Sequence, residues 1–364
     1  MVGLAAGGSN IELFAAQIVE FNPEVVALPA AELAEQLTTA IKNIANQKHL
    51  QMVLPQIITG ADAATQLAGQ KCDVLLNAIT GAAGLEPTLA ALNAGNILAL
   101  ANKESLVIGG HLVTSAAKPG QLVAVDSEHS AFAQALRAGR SDEVAKLILT
   151  ASGGPFRGYS RADLAEVTPE QAMAHPTWNM GRVITINSAT LVNKGLELLE
   201  AALLYGVDLD DIVVTVHPQS VIHSMVEFFD GSTIAQASPP DMRLPIGLAL
   251  TWPDRLAGVV RPCDWTKAAE WTFEPLDNAV FPAVELARDA GKAGGSAPAV
   301  YNAANEVCVD AFCAGKISFL AITEIIEEVL NKHLRENFVG DAELNVPAVL
   351  AADSWARKAA EELC

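Results

Sequence analysis

The first 150 residues alternate short apolar runs with segments of helical spacing, and this regular alternation leaves few folds open to the chain. Val2-Gly3-Leu4-Ala5-Ala6-Gly7-Gly8 reads as a strand ending in glycines, and 11–20 as a helix with Leu13, Phe14 and Ile18 on one side. Residues 25–28 read as a second strand, 30–46 as a helix and Val53-Leu54 as a third, short strand. Apolar runs at 74–79, 97–101, 122–125 and 147–149 continue the series. Strands separated by helices imply right-handed crossovers and a parallel sheet. In open α/β sheets ligands bind outside the carboxyl ends of the strands, so the residues just after each run are where chemistry is expected.

The strand at 122–125 is followed by Asp126-Ser127-Glu128-His129. If the backbone stays extended, Asp126 and Glu128 point the same way, placing two carboxylates where a hard cation can be held. A third oxygen donor is needed, and Glu197 is the best candidate. The same residues also read as an acidic turn capping the next helix, since Asp and Ser are common N-caps. Gly7-Gly8-Ser9-Asn10 after the first strand lacks G-x-G-x-x-G and reads equally as a tight turn. Thr80-Gly81-Ala82-Ala83-Gly84 opens a helix over 85–94, with glycines that let backbone N–H groups approach a phosphate. Asn102, Lys103 and Glu104 end the strand at 97–101, either converging on the crevice or forming a solvated loop with a local ion pair.

Ser152-Gly153-Gly154 after the strand at 147–149 has the composition of an anion-binding nest. His175-Pro176-Thr177-Trp178-Asn179-Met180-Gly181 reads as a loop that closes over a ligand, with Trp178 excluding water, or as a loop that Trp178 anchors to the core. Ser188-Ala189-Thr190 precedes a helix over 191–204 whose buried stripe is Val192, Leu196, Leu199 and Leu203. Asn193 and Glu197 share another face, and Lys194 with Glu197 also reads as an exposed pair behind an N-cap at Ser188 or Thr190.

Residues 212–238 are β-rich, with Asp230-Gly231 suggesting a type I′ hairpin and hence a second, α+β domain. His217 and His223 flank it without metal spacing and read as satisfied structural histidines. Residues 255–276 resemble a linker, and 302–314, 317–334 and 347–363 a small helical bundle. A net charge of −19 argues against nucleic-acid or anionic-membrane partners, because both need a basic footprint. It leaves an anionic small substrate open, since a local lysine or metal dominates a pocket. Five scattered cysteines without C-x-x-C spacing suggest reduced thiols and a cytoplasmic protein, and no long apolar run points to a membrane or to export.

The motifs Ala101-Asn102-Lys103-Glu104-Ser105, Val125-Asp126-Ser127-Glu128-His129, Ser152-Gly153-Gly154-Pro155-Phe156, His175-Pro176-Thr177-Trp178 and Asn193-Lys194-Gly195-Leu196-Glu197, in this order, resemble those of the 1-deoxy-D-xylulose 5-phosphate reductoisomerases. His217-Pro218-Gln219-Ser220 and Asn302-Ala303-Ala304-Asn305-Glu306 extend the resemblance along essentially the whole chain. It implies an α/β protein with a Rossmann-like, parallel-sheet NADPH domain over 1–127, an α+β catalytic and dimerisation domain over 128–254, a linker over 255–276 and a C-terminal helical bundle over 277–364. It also implies a homodimer that rearranges a sugar phosphate and reduces the product with NADPH, using Mg²⁺ or Mn²⁺.

Carried over by motif, Asp126, Glu128 and Glu197 are the implied metal ligands, and Lys103 and His175 join them as catalytic candidates. Ser127, Ser152, Ser188, Asn193 and Lys194 are implied substrate contacts, with Ser188 expected near a helix start. Gly7, Gly8, Ser9, Asn10, Asn102, Glu104 and Gly181 are implied cofactor contacts. The family begins with a further strand and a Gly-Ser-Thr-Gly-Ser-Ile-Gly turn. Against that pattern a unit of about 30 residues is expected to be missing here, which suggests as an alternative a chain that binds metal and sugar phosphate without reducing it.

Overall fold

The computed structural model describes residues 1–178 and 180–364. Its first part repeats strand and helix: β1 (Gly3–Ala5), α1 (Ile11–Phe21), β2 (Val25–Leu28), α2 (Leu33–Gln47), β3 (Gln56–Thr59), α3 (Ala63–Ala68), β4 (Val74–Asn77), α4 (Leu85–Asn93), β5 (Ile97–Leu100), α5 (Lys103–Gly109), α6 (His111–Ala116), β6 (Leu122–Ala124) and α7 (Ser127–Ala135). The strands form two parallel sheets, β1-β2-β3 and β4-β5-β6. The third strand lies at 56–59 and not at Val53-Leu54, both of which are exposed. Gln56-Ile57-Ile58-Thr59 has the β-branched side chains that pack on a pleated surface, and its pairing with β2 fixes its position. Val26 and Leu28 of β2 are buried with Phe14 and Ile18 of α1 and Leu37 and Ile41 of α2.

The run at 147–149 belongs elsewhere. It is the centre of β7 (Val144–Ala151), which pairs with strands of a mixed sheet. After it come α8 (Pro169–Ala172), α9 (Arg182–Thr190), α10 (Val192–Tyr205), β8 (Ile212–Val216), β9 (Ile222–Phe228), β10 (Thr233–Ala237), α11 (Arg243–Thr251) and β11 (Glu274–Pro275). The sheet order is β10-β9-β7-β8-β11, with β7 parallel to β8 and antiparallel to β9. The β9–β10 hairpin exists, but its turn is not type I′. The Phe228 carbonyl accepts from the Gly231 N–H, and of residues 229–231 only Gly231 has positive φ, at 85°. Type I′ needs positive φ at both central residues, here Phe229 and Asp230.

The chain ends in α12 (Ala283–Ala293), α13 (Ala297–Cys313), α14 (Phe319–Glu336) and α15 (Val346–Glu361). These helices pack with α9, α10 and β7 around the largest core, in which Tyr301, Phe312, Ile326 and Leu198 are buried. Among the described residues no helix is long and apolar enough to cross a membrane. His217 and His223 are the satisfied structural histidines expected. His217 Nδ1 lies 2.9 Å from the Thr272 carbonyl and its Nε2 accepts from the N–H groups of Val221 and Ile222, while His223 Nε2 lies 3.1 Å from the Ser238 carbonyl.

Candidate functional site

Helix α7 starts at Ser127, so the backbone does not remain extended through Glu128. Asp126 stands at the N-cap with extended ψ, yet its side chain makes no capping hydrogen bond and is left for other partners. Glu128 reaches the site from the first turn of α7, not by strand alternation. Glu197 comes from α10 and is 1% exposed. One oxygen from each of Asp126, Glu128 and Glu197 lies within 4.8 Å of the others, so the three carboxylates do meet, though by a different local route.

Two lysines lace this cluster. Lys103, the first residue of α5, is buried and not on a solvated loop. Its Nζ pairs with Asp126 Oδ2 and lies 2.9 Å from both Glu197 Oε1 and Asn193 Oδ1. Lys194 Nζ lies 2.7 Å from Glu128 Oε1 and also pairs with Glu197 Oε2, so this pair is buried as well. Asn193 Nδ2 donates to Glu197 Oε1 at 2.5 Å. Helix α10 carries Asn193, Lys194 and Glu197 inward because almost the whole of its first three turns is buried.

The electrostatics follow from burial and these pairs. Burial opposes ionisation of Asp126, but the Lys103 ammonium beside it wins and holds its carboxyl well below the usual range. Burial and the neighbouring Glu197 push Glu128 up to about 7. Burial also opposes charge on Lys103 and Lys194, and the carboxylates around them more than compensate, keeping both cationic. Among the described residues Asp126 Oδ2 and Glu197 Oε2, though ion-paired with Lys103 and Lys194, are buried without a hydrogen bond of good geometry. Hard carboxylate oxygens left in this way suit a divalent cation such as Mg²⁺.

A second group lies after β7. Gly153 and Gly154 have φ of 84° and 66°, and the Gly154 N–H donates to Ser152 Oγ at 3.2 Å. His175 Nδ1 accepts from the N–H groups of Thr177 and Trp178, so its proton sits on Nε2, 3.1 Å from Ser152 Oγ. A Cβ on Gly154 would stand 2.8 Å from the Ser188 carbonyl, so the glycine turn presses directly on Ser188. Ser188 lies in the last turn of α9, not at a helix start. Leu191, with φ of 63°, makes the corner between α9 and α10, and Thr190 Oγ1 accepts from the Val192 N–H. The expected N-terminal dipole at Ser188 is therefore absent. A cleft of about 440 Å³ runs beside Ser152, Gly154, Arg157, Tyr159 and Pro176. Trp178 is half-buried, and Asn179 of the same loop lies outside the described residues. Ser127 Oγ donates to Glu128 Oε2.

Asn102 caps α5, its Oδ1 accepting from the Ser105 N–H at 2.7 Å, while its amide donates to the Gly81 carbonyl and to Glu104 Oε2. Burial raises Glu104 above the ordinary carboxylate range. Asn102 and Glu104 thus adjoin Lys103. Gly7 to Asn10 follow β1, where Asn10 caps α1, and Gly181 caps α9. Among the described residues neither of these groups shares a hydrogen bond with Asn102 or Glu104. Two residues behind the carboxylates were missed in the sequence. His129 and Glu200 are both fully buried, with His129 Nδ1 3.2 Å from Glu200 Oε2. The available signal was a glutamate three positions after Glu197, set in the apolar run Leu198-Leu199-Glu200-Ala201-Ala202.

Residues 1–110 match the family model described as 1-deoxy-D-xylulose 5-phosphate reductoisomerase, residues 122–205 its C-terminal domain model, and residues 237–359 the DXP reductoisomerase C-terminal domain. The 1-deoxy-D-xylulose 5-phosphate reductoisomerase of Cutibacterium acnes is 63% identical, over 100% of this chain and 91% of that protein. Its namesake from Paenarthrobacter aurescens is 57% identical over 98% and 89% of the two chains. Among solved structures, the Zymomonas mobilis reductoisomerase in complex with NADPH superposes with a TM-score of 0.89 at 41% identity, covering 100% of this chain and 91% of that one. A DOX-P reductoisomerase in complex with NADPH, fosmidomycin and magnesium gives 0.87 at 35% identity, covering 99% and 90%.

Proposed function

Because the chain belongs to the 1-deoxy-D-xylulose 5-phosphate reductoisomerase family, we infer that it converts 1-deoxy-D-xylulose 5-phosphate into 2-C-methyl-D-erythritol 4-phosphate, an early step of non-mevalonate isoprenoid synthesis, with NADPH and a divalent ion. The observation that carries this assignment is the meeting of Asp126, Glu128 and Glu197 with Lys103 and Lys194 in one buried cluster. Those three carboxylates would hold one Mg²⁺ or Mn²⁺ per subunit. Bound there, the ion supplies Lewis acidity to the substrate's carbonyl and hydroxyl oxygens, and NADPH supplies the hydride.

The protein's own groups orient and shield the substrate. The Lys103 ammonium, kept charged by Asp126 and Glu197, stabilises negative charge as it develops on the reacting oxygens. Ser152, Ser188, Asn193 and Lys194 hold the phosphate, with Lys194 giving the charge that the lost helix start at Ser188 does not. His175 presents its Nε2 proton toward Ser152 and the substrate. Ser127 hydrogen-bonds the substrate beside the metal, and Trp178 excludes water. Gly7, Gly8, Ser9, Asn10, Asn102, Glu104 and Gly181 contact NADPH.

The same assignment divides the chain into a cofactor domain over 1–127, a catalytic and dimerisation domain over 128–254, a linker over 255–276 and a helical domain over 277–364. It extends to a cytoplasmic homodimer, a location supported by five free cysteines. The test is NADPH oxidation, followed by absorbance, with 1-deoxy-D-xylulose 5-phosphate and Mn²⁺. Oxidation that needs both substrate and metal is expected. A folded protein that oxidises no NADPH would overturn the activity, and sugar phosphate binding without oxidation would limit the chain to binding.

A further inference from the structure

We propose that His129 and Glu200 form a buried clamp that sets the spacing of the metal carboxylates by fastening α7 to α10. This rests on the metal site proposed above. Helix α7 carries Asp126 at its N-cap and Glu128 in its first turn, and α10 carries Glu197. Nothing in the local sequence joins these two helices, whose carboxylates stand apart in the chain. His129, next to Glu128, crosses the gap. Its Nε2 lies 2.9 Å from the Glu197 carbonyl, and because a carbonyl only accepts, Nε2 carries a proton. From the far end of α10, Tyr205 Oη donates to the His129 carbonyl at 2.5 Å. One residue of α7 is therefore held by α10 through both its side chain and its backbone.

Glu200 completes the clamp. It sits one helical turn beyond Glu197, is fully buried, and stands 3.2 Å from His129 Nδ1. Among the described residues His129 Nδ1 and both Glu200 oxygens have no hydrogen-bond partner of good geometry, so their 3.2 Å contact is a close approach of two buried polar groups and not a formed hydrogen bond. A buried carboxyl without a partner is costly, and the imidazole is what it faces. With Nε2 committed to Glu197, the Glu200 carboxyl packs against the Nδ1 edge and limits the ring's rotation, and Tyr205 stacks along the ring at 6.5 Å between centroids. Groups that orient a metal's ligands in this way typically change metal affinity when removed. His129 and Glu200 are thus positioning residues.

The test is direct Mn²⁺ binding to the full-length protein, read from the electron paramagnetic resonance of free Mn²⁺ with no substrate or NADPH, alongside thermal melting. Glu200→Leu and His129→Phe, both shape-preserving, should raise the Mn²⁺ Kd about tenfold or more with a melting temperature close to that of the unaltered protein. Glu200→Gln, whose amide still reaches Nδ1, should bind Mn²⁺ normally. Normal affinity in both Glu200→Leu and His129→Phe, or loss of melting temperature without loss of affinity, overturns the clamp. If Glu200→Leu fails to fold, His129→Phe decides alone. A second Mn²⁺ bound by the unaltered protein and lost in Glu200→Leu would make Glu200 a ligand and also overturns it. Failure of the unaltered protein to bind Mn²⁺ would instead strike at the metal site itself.

Discussion

The Lys194 ammonium, buried on α10, stands 2.7 Å from the partly buried Glu128 Oε1 and so links α10 to α7. Lys194→Ala removes the phosphate contact proposed for it, which would be present in both the bound and the transition state. It is expected to raise the substrate KM by roughly 10- to 100-fold, as for loss of a charged hydrogen bond, with a smaller change in kcat. Steady-state kinetics at saturating NADPH check it. An unchanged KM would remove Lys194 from the phosphate site.

Glu197 touches both lysines and Asn193, so its charge is central to the cluster. Glu197→Gln keeps the shape and removes the charge. Loss of a buried charge pair costs about 2–5 kcal/mol, or ~30-fold or more in metal affinity. Turnover against Mn²⁺ concentration is the measurement, and near-normal activity at limiting Mn²⁺ would reject Glu197 as a ligand.

Gly154 needs positive φ, and a Cβ there would meet the Ser188 carbonyl at 2.8 Å and Ala189 Cα at 3.1 Å, both backbone. Gly154→Ala should cost more than about 1 kcal/mol and push the 152–154 turn away from Ser188. We expect a lower melting temperature together with a higher substrate KM. A variant that melts and binds substrate like the parent would show that the turn has room.

His333 is buried against Trp355 and Phe338, with Nε2 2.8 Å from Ser296 Oγ. Burial lowers its proton affinity below the ordinary value of about 6.5. A depressed histidine pKa means that the unfolded chain takes up the proton first. The stability from the neutral ring is complete above the unfolded value and is lost as pH falls through the folded one. The melting temperature should fall as pH drops below the unfolded histidine value of about 6.5, and His333→Gln should flatten that fall. Equal slopes would remove His333 as a cause.

The family, and the three carboxylates that come together, were legible because the motifs are long and stand in one order. The route by which they meet was not. Asp126 and Glu128 converge through a helix start, since Ser127 already has helical partners where strand alternation was expected. Ser188 was misread because Ser-x-Thr resembles a cap, whereas the αL corner one residue later, at Leu191, separates two helices. A leucine in that conformation has no sequence signature. The run at 147–149 showed its strand but not its sheet, since a buried parallel strand and the centre of a mixed sheet are equally apolar. Helix α12 lies within the region read as a helical bundle but was not singled out, although Val284, Ala287 and Ala290 are spaced for it, because Arg288, Asp289 and Lys292 interrupt the apolar pattern. Glu200 lacked any pattern of its own, and only the fold sets it against His129.

Lys103 and Glu197, which meet in the site, are 94 positions apart in the chain. An unfolded chain offers an ion no preformed set of oxygens, so a divalent ion binds the native state almost alone. By mass action each tenfold excess of ion over its Kd then adds about 1.4 kcal/mol to folding stability. Chelation would consequently shorten the protein's survival against proteases even with no substrate present, and the ionic composition of its surroundings would govern its abundance as well as its turnover.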